Sequence, residues 1–174
     1  MVQLSDIYDA VTGANVAQRQ AKLFAGEAHM LWEHLQQRHD YLELTLICLN
    51  NIKDTDFKML VAKGLRDTMR TQIEKVNSLM STFGIPFPEG APESVPTAAD
   101  TDIWRDEMVF NLLLAGIRNF MNVHLRAIKL FISDGLRNLF MEFMIDEMKI
   151  HDNLMKYGKV KGWVLAPPAY KAQG

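Results

Sequence analysis

GIPFPEGAPESVPTAADT, residues 84–101, contains four of the six prolines of this 174-residue chain. Proline removes a backbone donor and interrupts helices, so this stretch separates an N-terminal half from a C-terminal half. No other proline occurs before Pro167. The sequence therefore predicts two proline-free helical halves joined by one long connection.

Each half contains two amphipathic segments, because apolar residues recur at spacings of three and four. In the first half this periodicity predicts helices over residues 16–51 and 55–83, and Gly84 ends the second of them. In the second half it predicts helices over residues 102–132 and 135–157, with Asp100 or Asp102 as the N-cap. A tail, residues 158–174, follows. We expect a single all-α domain, a four-helix bundle.

The length of the connection bears on the topology. The second predicted helix is about 42 Å long at 1.5 Å per residue, and a proline-rich segment of about 18 residues can span roughly 55 Å. The connection can therefore cross the whole bundle, which makes helices two and three parallel, as in ferritin-like folds. The alternative is an up-down-up-down bundle with a loose loop.

Composition and motifs exclude several classes of function. A net charge of −2 and an isoelectric point near 6.2 argue against binding to nucleic acid. No apolar run approaches the roughly 20 residues of a membrane helix, and the N-terminus does not resemble a secretory signal. Because the single cysteine, Cys48, cannot form an intrachain disulfide, we expect a cytosolic protein. No phosphate-binding loop or nucleophile motif supports an enzyme.

Three stretches carry a resemblance to a known family. They are residues 26–32 (GEAHMLW), 83–88 (FGIPFP) and, most specifically, 157–170 (YGKVKGWVLAPPAY). The chain resembles a family of bacterial ferritin-like proteins of unknown function that is related to the spore coat F proteins. The resemblance implies a ferritin-like fold, a cytosolic or forespore setting and an association with other spore coat proteins. It implies no reaction.

Ferritin-like bundles often bind two irons through glutamates and Glu-x-x-His pairs, but this chain contains no Glu-x-x-His. The nearest substitute is Glu147 with His151, four residues apart on one helix face. In the crossover topology, Glu27, His124 and Glu147 fall at about the same height, roughly 15 Å along the bundle. His34 and His151 lie one to two turns beyond them. These five residues form a candidate site for iron, zinc or manganese.

A purely structural interpretation competes with the metal site. Glu147 lies on an apolar stripe, where a buried carboxylate needs a partner, and His124 can supply a hydrogen bond. We therefore expect a non-catalytic structural or interaction protein without a cofactor, and a metal-binding protein, such as an oxidase, is the alternative. Because Trp32, Phe87 and Trp104 are large groups outside the predicted stripes, we also expect a homodimer.

Overall fold

The computed structural model describes residues 18, 20, 22–96 and 103–168, and within them all regular structure is helical. The helices are α1 (Ala25–Asn51), α2 (Thr55–Gly64), α3 (Thr71–Phe83), α4 (Asp106–Leu130) and α5 (Asp134–Lys161). A π-helical segment, Leu65–Arg70, joins α2 to α3 without a break, because the backbone stays right-handed helical at both junctions. The described chain thus forms four helical arms, and the predicted all-α class is confirmed.

The helix ends differ from the predicted bounds where backbone conformation decides them. Helix α1 begins at Ala25 rather than near residue 16, because Phe24 is in extended conformation. Helix α5 continues four residues beyond the predicted end, from 157 to Lys161, and stops where Gly162 adopts a φ of 71°. The second arm ends as predicted, at Gly84 with a φ of 61°. The candidate caps Asp100 and Asp102 lie outside the described residues.

Two hydrophobic clusters lie at opposite ends of the arms. One joins the first half of α1 to α3, the end of α4 and the start of α5. The other joins the end of α1 to α2, the start of α4 and the end of α5, where Trp163 packs on the rings of Phe57 and Phe110. Cys48 is fully buried in this second cluster, and burial raises the pKa of its thiol to about 11. Such a thiol is structural rather than reactive.

A carboxylate from each half of the chain binds the backbone of the other half. Glu27 of α1 accepts hydrogen bonds from the backbone N–H groups of Ile132 and Ser133, between α4 and α5. Asp106 of α4 accepts hydrogen bonds from the N–H groups of Lys53 and Asp54, between α1 and α2. The start of α1 therefore lies beside the end of α4, and the start of α4 lies beside the end of α1. The two helices run antiparallel.

The proline-rich segment runs alongside α1. At its start, the carbonyl of Phe83 accepts a hydrogen bond from Gln20, which precedes α1. Farther along, Ala91 N–H donates to His39 Nδ1, and Asn50 donates to the carbonyl of Val95 at 2.8 Å. The segment therefore lies beside the start of α1 at residue 83 and beside its end at residue 95.

Candidate functional site: a buried arginine cluster

Five buried polar side chains meet between the two hydrophobic clusters, and all four arms contribute to them. We call them the central cluster: His34 and Arg38 of α1, Gln72 of α3, His124 of α4 and Glu147 of α5. Each is at most 2% exposed to solvent. Because buried polar groups need hydrogen-bond partners, the contacts among these five side chains determine which of their donors, acceptors and charges are satisfied within the cluster.

Arg38 is the centre of the cluster. Its Nη2 group donates hydrogen bonds to Gln72 Oε1 and Glu147 Oε1 and lies 3.1 Å from His124 Nε2. Its guanidinium carbon also lies 3.7 Å from the centroid of the Phe120 ring, in a cation–π contact. One guanidinium thus contacts the other three arms.

The charges of Arg38 and Glu147 compensate each other. Burial lowers the pKa of Arg38, but guanidinium stays protonated in proteins, and Glu147 favours the charged form. Burial alone would raise the pKa of Glu147, but the charge of Arg38, the nearby His124 ring and the hydrogen bond from Arg38 outweigh it and hold that pKa below its usual value. We therefore describe the pair as an ionised, buried salt bridge.

The two histidines are neutral. Burial lowers the pKa of His34 and His124, and the positive charge of Arg38 lowers both further, while the nearby carboxylate of Glu147 offsets part of this at His124. His124 Nε2 lies beside Arg38 Nη2, whose two hydrogens are directed to Gln72 and Glu147. His34 packs among aromatic rings, with ring centroids 4.9 Å from Phe140 and 5.8 Å from Phe143.

Several polar atoms of the cluster have no protein partner among the described residues. They are both ring nitrogens of His34, Nδ1 of His124, Nε of Arg38 and Nε2 of Gln72. A buried donor without an acceptor costs about 1–3 kcal/mol. The cluster is therefore not fully satisfied by its own residues.

Three of the five predicted site residues, His34, His124 and Glu147, lie in the central cluster. The other two lie elsewhere, which corrects the predicted convergence. Glu27 is buried at the end of the bundle, where backbone N–H groups take up its carboxylate, because it stands in the first turn of α1. His151 is partly exposed on the outer side of α5, and Arg118 Nε lies 3.4 Å from its Nε2.

The residues of the central cluster do not fit a metal ion. His124 Nε2 lies 3.8 Å from Glu147 Oε1, and the guanidinium of Arg38 contacts both atoms. A cation placed there would meet this fixed positive charge at close range, which is strongly unfavourable in a buried site. Across residues 22–96 and 103–168, no group of three or more His, Cys, Asp or Glu side chains could hold a metal ion.

Arg38 and Gln72 are the residues of the candidate site that sequence reasoning missed. Arg38 follows Leu31 and Leu35 at helical spacing and precedes Leu42 by four residues, so it stands on the apolar stripe of α1. Gln72 stands beside Ile73 and four residues before Val76. A polar residue on an apolar stripe is the signal that Arg38 and Gln72 share with Glu147.

A cavity of about 270 Å³ lies beside the cluster, and Arg38 and Glu147 form part of its wall. Its other lining residues come from all four arms, and four of them, Leu65, Asp67, Thr68 and Met69, belong to the π-helical segment. π-Helical turns inside helices occur frequently at functional sites. The cavity and the central cluster together form the candidate site.

Comparison with known proteins assigns the chain to a family. A family model described as "Protein of unknown function (DUF3231)" matches residues 11–174. The chain belongs to this family. No curated protein matches the sequence.

One solved structure has a similar fold. It is a crystal structure from Bacillus halodurans C-125, described as a "putative spore coat protein", with a TM-score of 0.79 and 20% sequence identity. The match covers 86% of this chain and 96% of the other. At this identity the likeness establishes the fold. None of the described helices is both long and apolar enough to span a membrane.

Proposed function

We propose that this protein is a non-catalytic structural or interaction protein of ferritin-like architecture that takes part in building the spore coat. The observation that carries the proposal is the position of Arg38. Its guanidinium fills the polar centre of the bundle, where metal-binding relatives of this architecture gather carboxylates and histidines around iron. The site has a permanent cation of its own and needs no metal to balance Glu147.

Two further observations support the architecture and the setting. The hydrogen bonds of Ala91 and Val95 along α1 support a crossover connection with parallel second and third arms. The fold shared with the Bacillus halodurans structure, and the resemblance of residues 157–170 to relatives of spore coat F proteins, support a spore-related role.

An interaction role requires a surface that other chains can bind. Met141, Ile145 and Met148 follow one another at spacings of four and three on α5, and each is at least 40% exposed. They form an exposed apolar strip, which we call the α5 strip. We propose that it contributes to a homodimer or to contacts with other coat proteins, together with the exposed Trp32 and Phe87.

The metal question has a direct test. We expect the melting temperature of the purified protein to be the same with chelator and with excess iron, zinc or manganese, because a ligand stabilises only the folded state that binds it. Arg38→Ala removes the competing cation and leaves Glu147 and His124 available to a metal. A rise in melting temperature for the unsubstituted protein would replace this proposal with the metal-binding alternative.

The coat role is tested in a spore-forming bacterium that encodes the protein. We expect an epitope-tagged copy to appear in the coat extract of purified spores, and Ile145→Glu to reduce its incorporation. Met59→Glu is the matched control, because Met59 is equally apolar and 67% exposed but lies on α2. Recovery of the tagged protein only from the spore interior, or equal incorporation of both variants, would contradict the proposal.

The same pair of variants tests self-association in vitro. We expect light scattering at micromolar concentration to give twice the chain mass of 19.9 kDa for the parent protein and for Met59→Glu. Ile145→Glu should shift the mass towards one chain, because a charge buried at an interface without a partner is costly. A parent protein with the mass of one chain would rule out the dimer.

A further inference from the structure

The cavity beside Arg38 is the part of the molecule that the proposed structural role leaves unexplained. We propose that it binds a small, uncharged, largely apolar molecule with a hydrogen-bond acceptor oxygen at one end. The inference rests on the size of the cavity, its apolar walls, the buried Arg38 side chain in its wall and its charge balance.

The walls of the cavity are mainly aliphatic. Its apolar lining includes Leu44, Leu60, Val61, Leu112, Ile117 and Ile150, which come from all the arms that surround it. Gly64 also lines it, and a Cβ built on Gly64 would meet no atom within 4 Å. Protein interiors are otherwise close-packed. Open space of this kind between packed helices is the usual form of a small-molecule site.

The volume sets the size of the ligand. A cavity of about 150 Å³ in a protein core accommodates benzene. By proportion, the 270 Å³ here accommodates about ten or eleven non-hydrogen atoms. A longer lipid or a nucleotide would extend past the charged rim of the cavity.

The polar end of the site is Arg38. Its side chain is 2% exposed and lines the cavity. Guanidinium nitrogens donate and never accept hydrogen bonds, so the ligand atom that suits this wall is an acceptor, such as a carbonyl, ether or hydroxyl oxygen.

The charges around the site favour an uncharged ligand. Glu147 also lines the cavity and already neutralises Arg38, so a carboxylate would meet a negative group at close range. The charged residues at the rim are two lysines, Lys63 and Lys149, and two aspartates, Asp67 and Asp146. Their charges cancel, so the rim does not select ions of either sign.

Three probes of nearly the same shape test this recognition. Benzylacetone has a ketone oxygen at one end, butylbenzene replaces it with hydrocarbon, and phenylpropanoate replaces it with a carboxylate. Each has about ten or eleven non-hydrogen atoms. In isothermal titration calorimetry with the full chain, we expect benzylacetone to bind about tenfold more tightly than either of the other two.

Substitutions then locate the binding. Ile150→Trp fills the cavity and should abolish binding of benzylacetone. Val160→Trp is the matched control on the same helix, because Val160 is 84% exposed and lies outside the cavity, and it should bind like the parent. Circular dichroism of both variants establishes that they fold.

The double variant Arg38→Met with Glu147→Met tests the polar end without leaving an unpaired charge. We expect it to bind butylbenzene and to lose the tenfold preference for the ketone. The proposal is overturned if no probe binds the parent protein, if phenylpropanoate binds as tightly as benzylacetone, or if Ile150→Trp binds like Val160→Trp.

Discussion

The Arg38–Glu147 salt bridge makes a quantitative prediction about stability. Both residues are 2% exposed, so each charge is largely shielded from water when its partner is lost. Removing one member of a buried ion pair typically costs about 3–5 kcal/mol. We expect Glu147→Gln to lower the free energy of unfolding by this amount, a large share of the 5–15 kcal/mol typical of a domain.

The two partners should not be equivalent. In Arg38→Met the unpaired carboxylate of Glu147 can take up a proton and become neutral, whereas in Glu147→Gln the guanidinium cannot lose one. We therefore expect Arg38→Met to cost less than Glu147→Gln at neutral pH. The double variant Arg38→Met with Glu147→Met should cost less than Glu147→Gln alone, because apolar residues can replace a buried pair without large loss.

Urea unfolding followed by circular dichroism measures these free energies. Asp152→Asn is the control, because Asp152 pairs with Lys156 on the exposed side of α5 and should change stability by less than about 0.5 kcal/mol. The reasoning is refuted if Glu147→Gln costs no more than this control, or if the double variant costs as much as Glu147→Gln alone or more.

Two further predictions concern the histidines and the glycines. Because burial lowers the pKa of His34 and His124, the unfolded chain binds more protons, and the free energy of unfolding should fall below about pH 6.5 by up to about 1.4 kcal/mol per pH unit for each histidine. His34→Phe should flatten the pH dependence of the free energy of unfolding between pH 5 and 6.5. If urea unfolding at several pH values gives the same pH dependence for the variant and the parent, His34 does not cause it. Gly158→Ala should destabilise by about 1–3 kcal/mol, because its Cβ would collide with the buried ring of Phe110. Gly64→Ala should instead stabilise the protein by about 0.5–1 kcal/mol in thermal unfolding, because a Cβ at Gly64 meets no atom within 4 Å. If both alanine variants stabilise the protein, or both destabilise it, the packing described here is contradicted.

The arms could be predicted from the sequence because their apolar stripes are long and their ends are marked by glycine. The predicted second helix, residues 55–83, coincides with the second arm, whose end at Gly84 requires a positive φ. The start of α1 could not be placed this way. Phe24 continues the apolar periodicity in sequence, but its backbone is extended, and Glu27 accepts a hydrogen bond from its N–H group.

The candidate site was predicted only in part, for a physical reason. Periodicity places residues on a helix face, and it correctly placed His124 and Glu147 inside the bundle. The height along the bundle depends also on where each helix begins, and α1 begins at Ala25 rather than near residue 16. A count from residue 16 therefore predicts Glu27 near His124, whereas its carboxylate binds the chain at Ile132 and Ser133, at the end of the bundle.

Arg38 also explains how the four arms keep one register. Apolar clusters alone tolerate sliding, because one leucine can replace another in the same contact. Arg38 instead donates directional hydrogen bonds to Gln72 and Glu147 and contacts His124, one residue on each of the other arms. A shift of one residue along a helix is about 1.5 Å, enough to break such a bond. We infer that the buried charge favours one arrangement of the helices, in which Arg38 and Glu147 form part of the cavity wall.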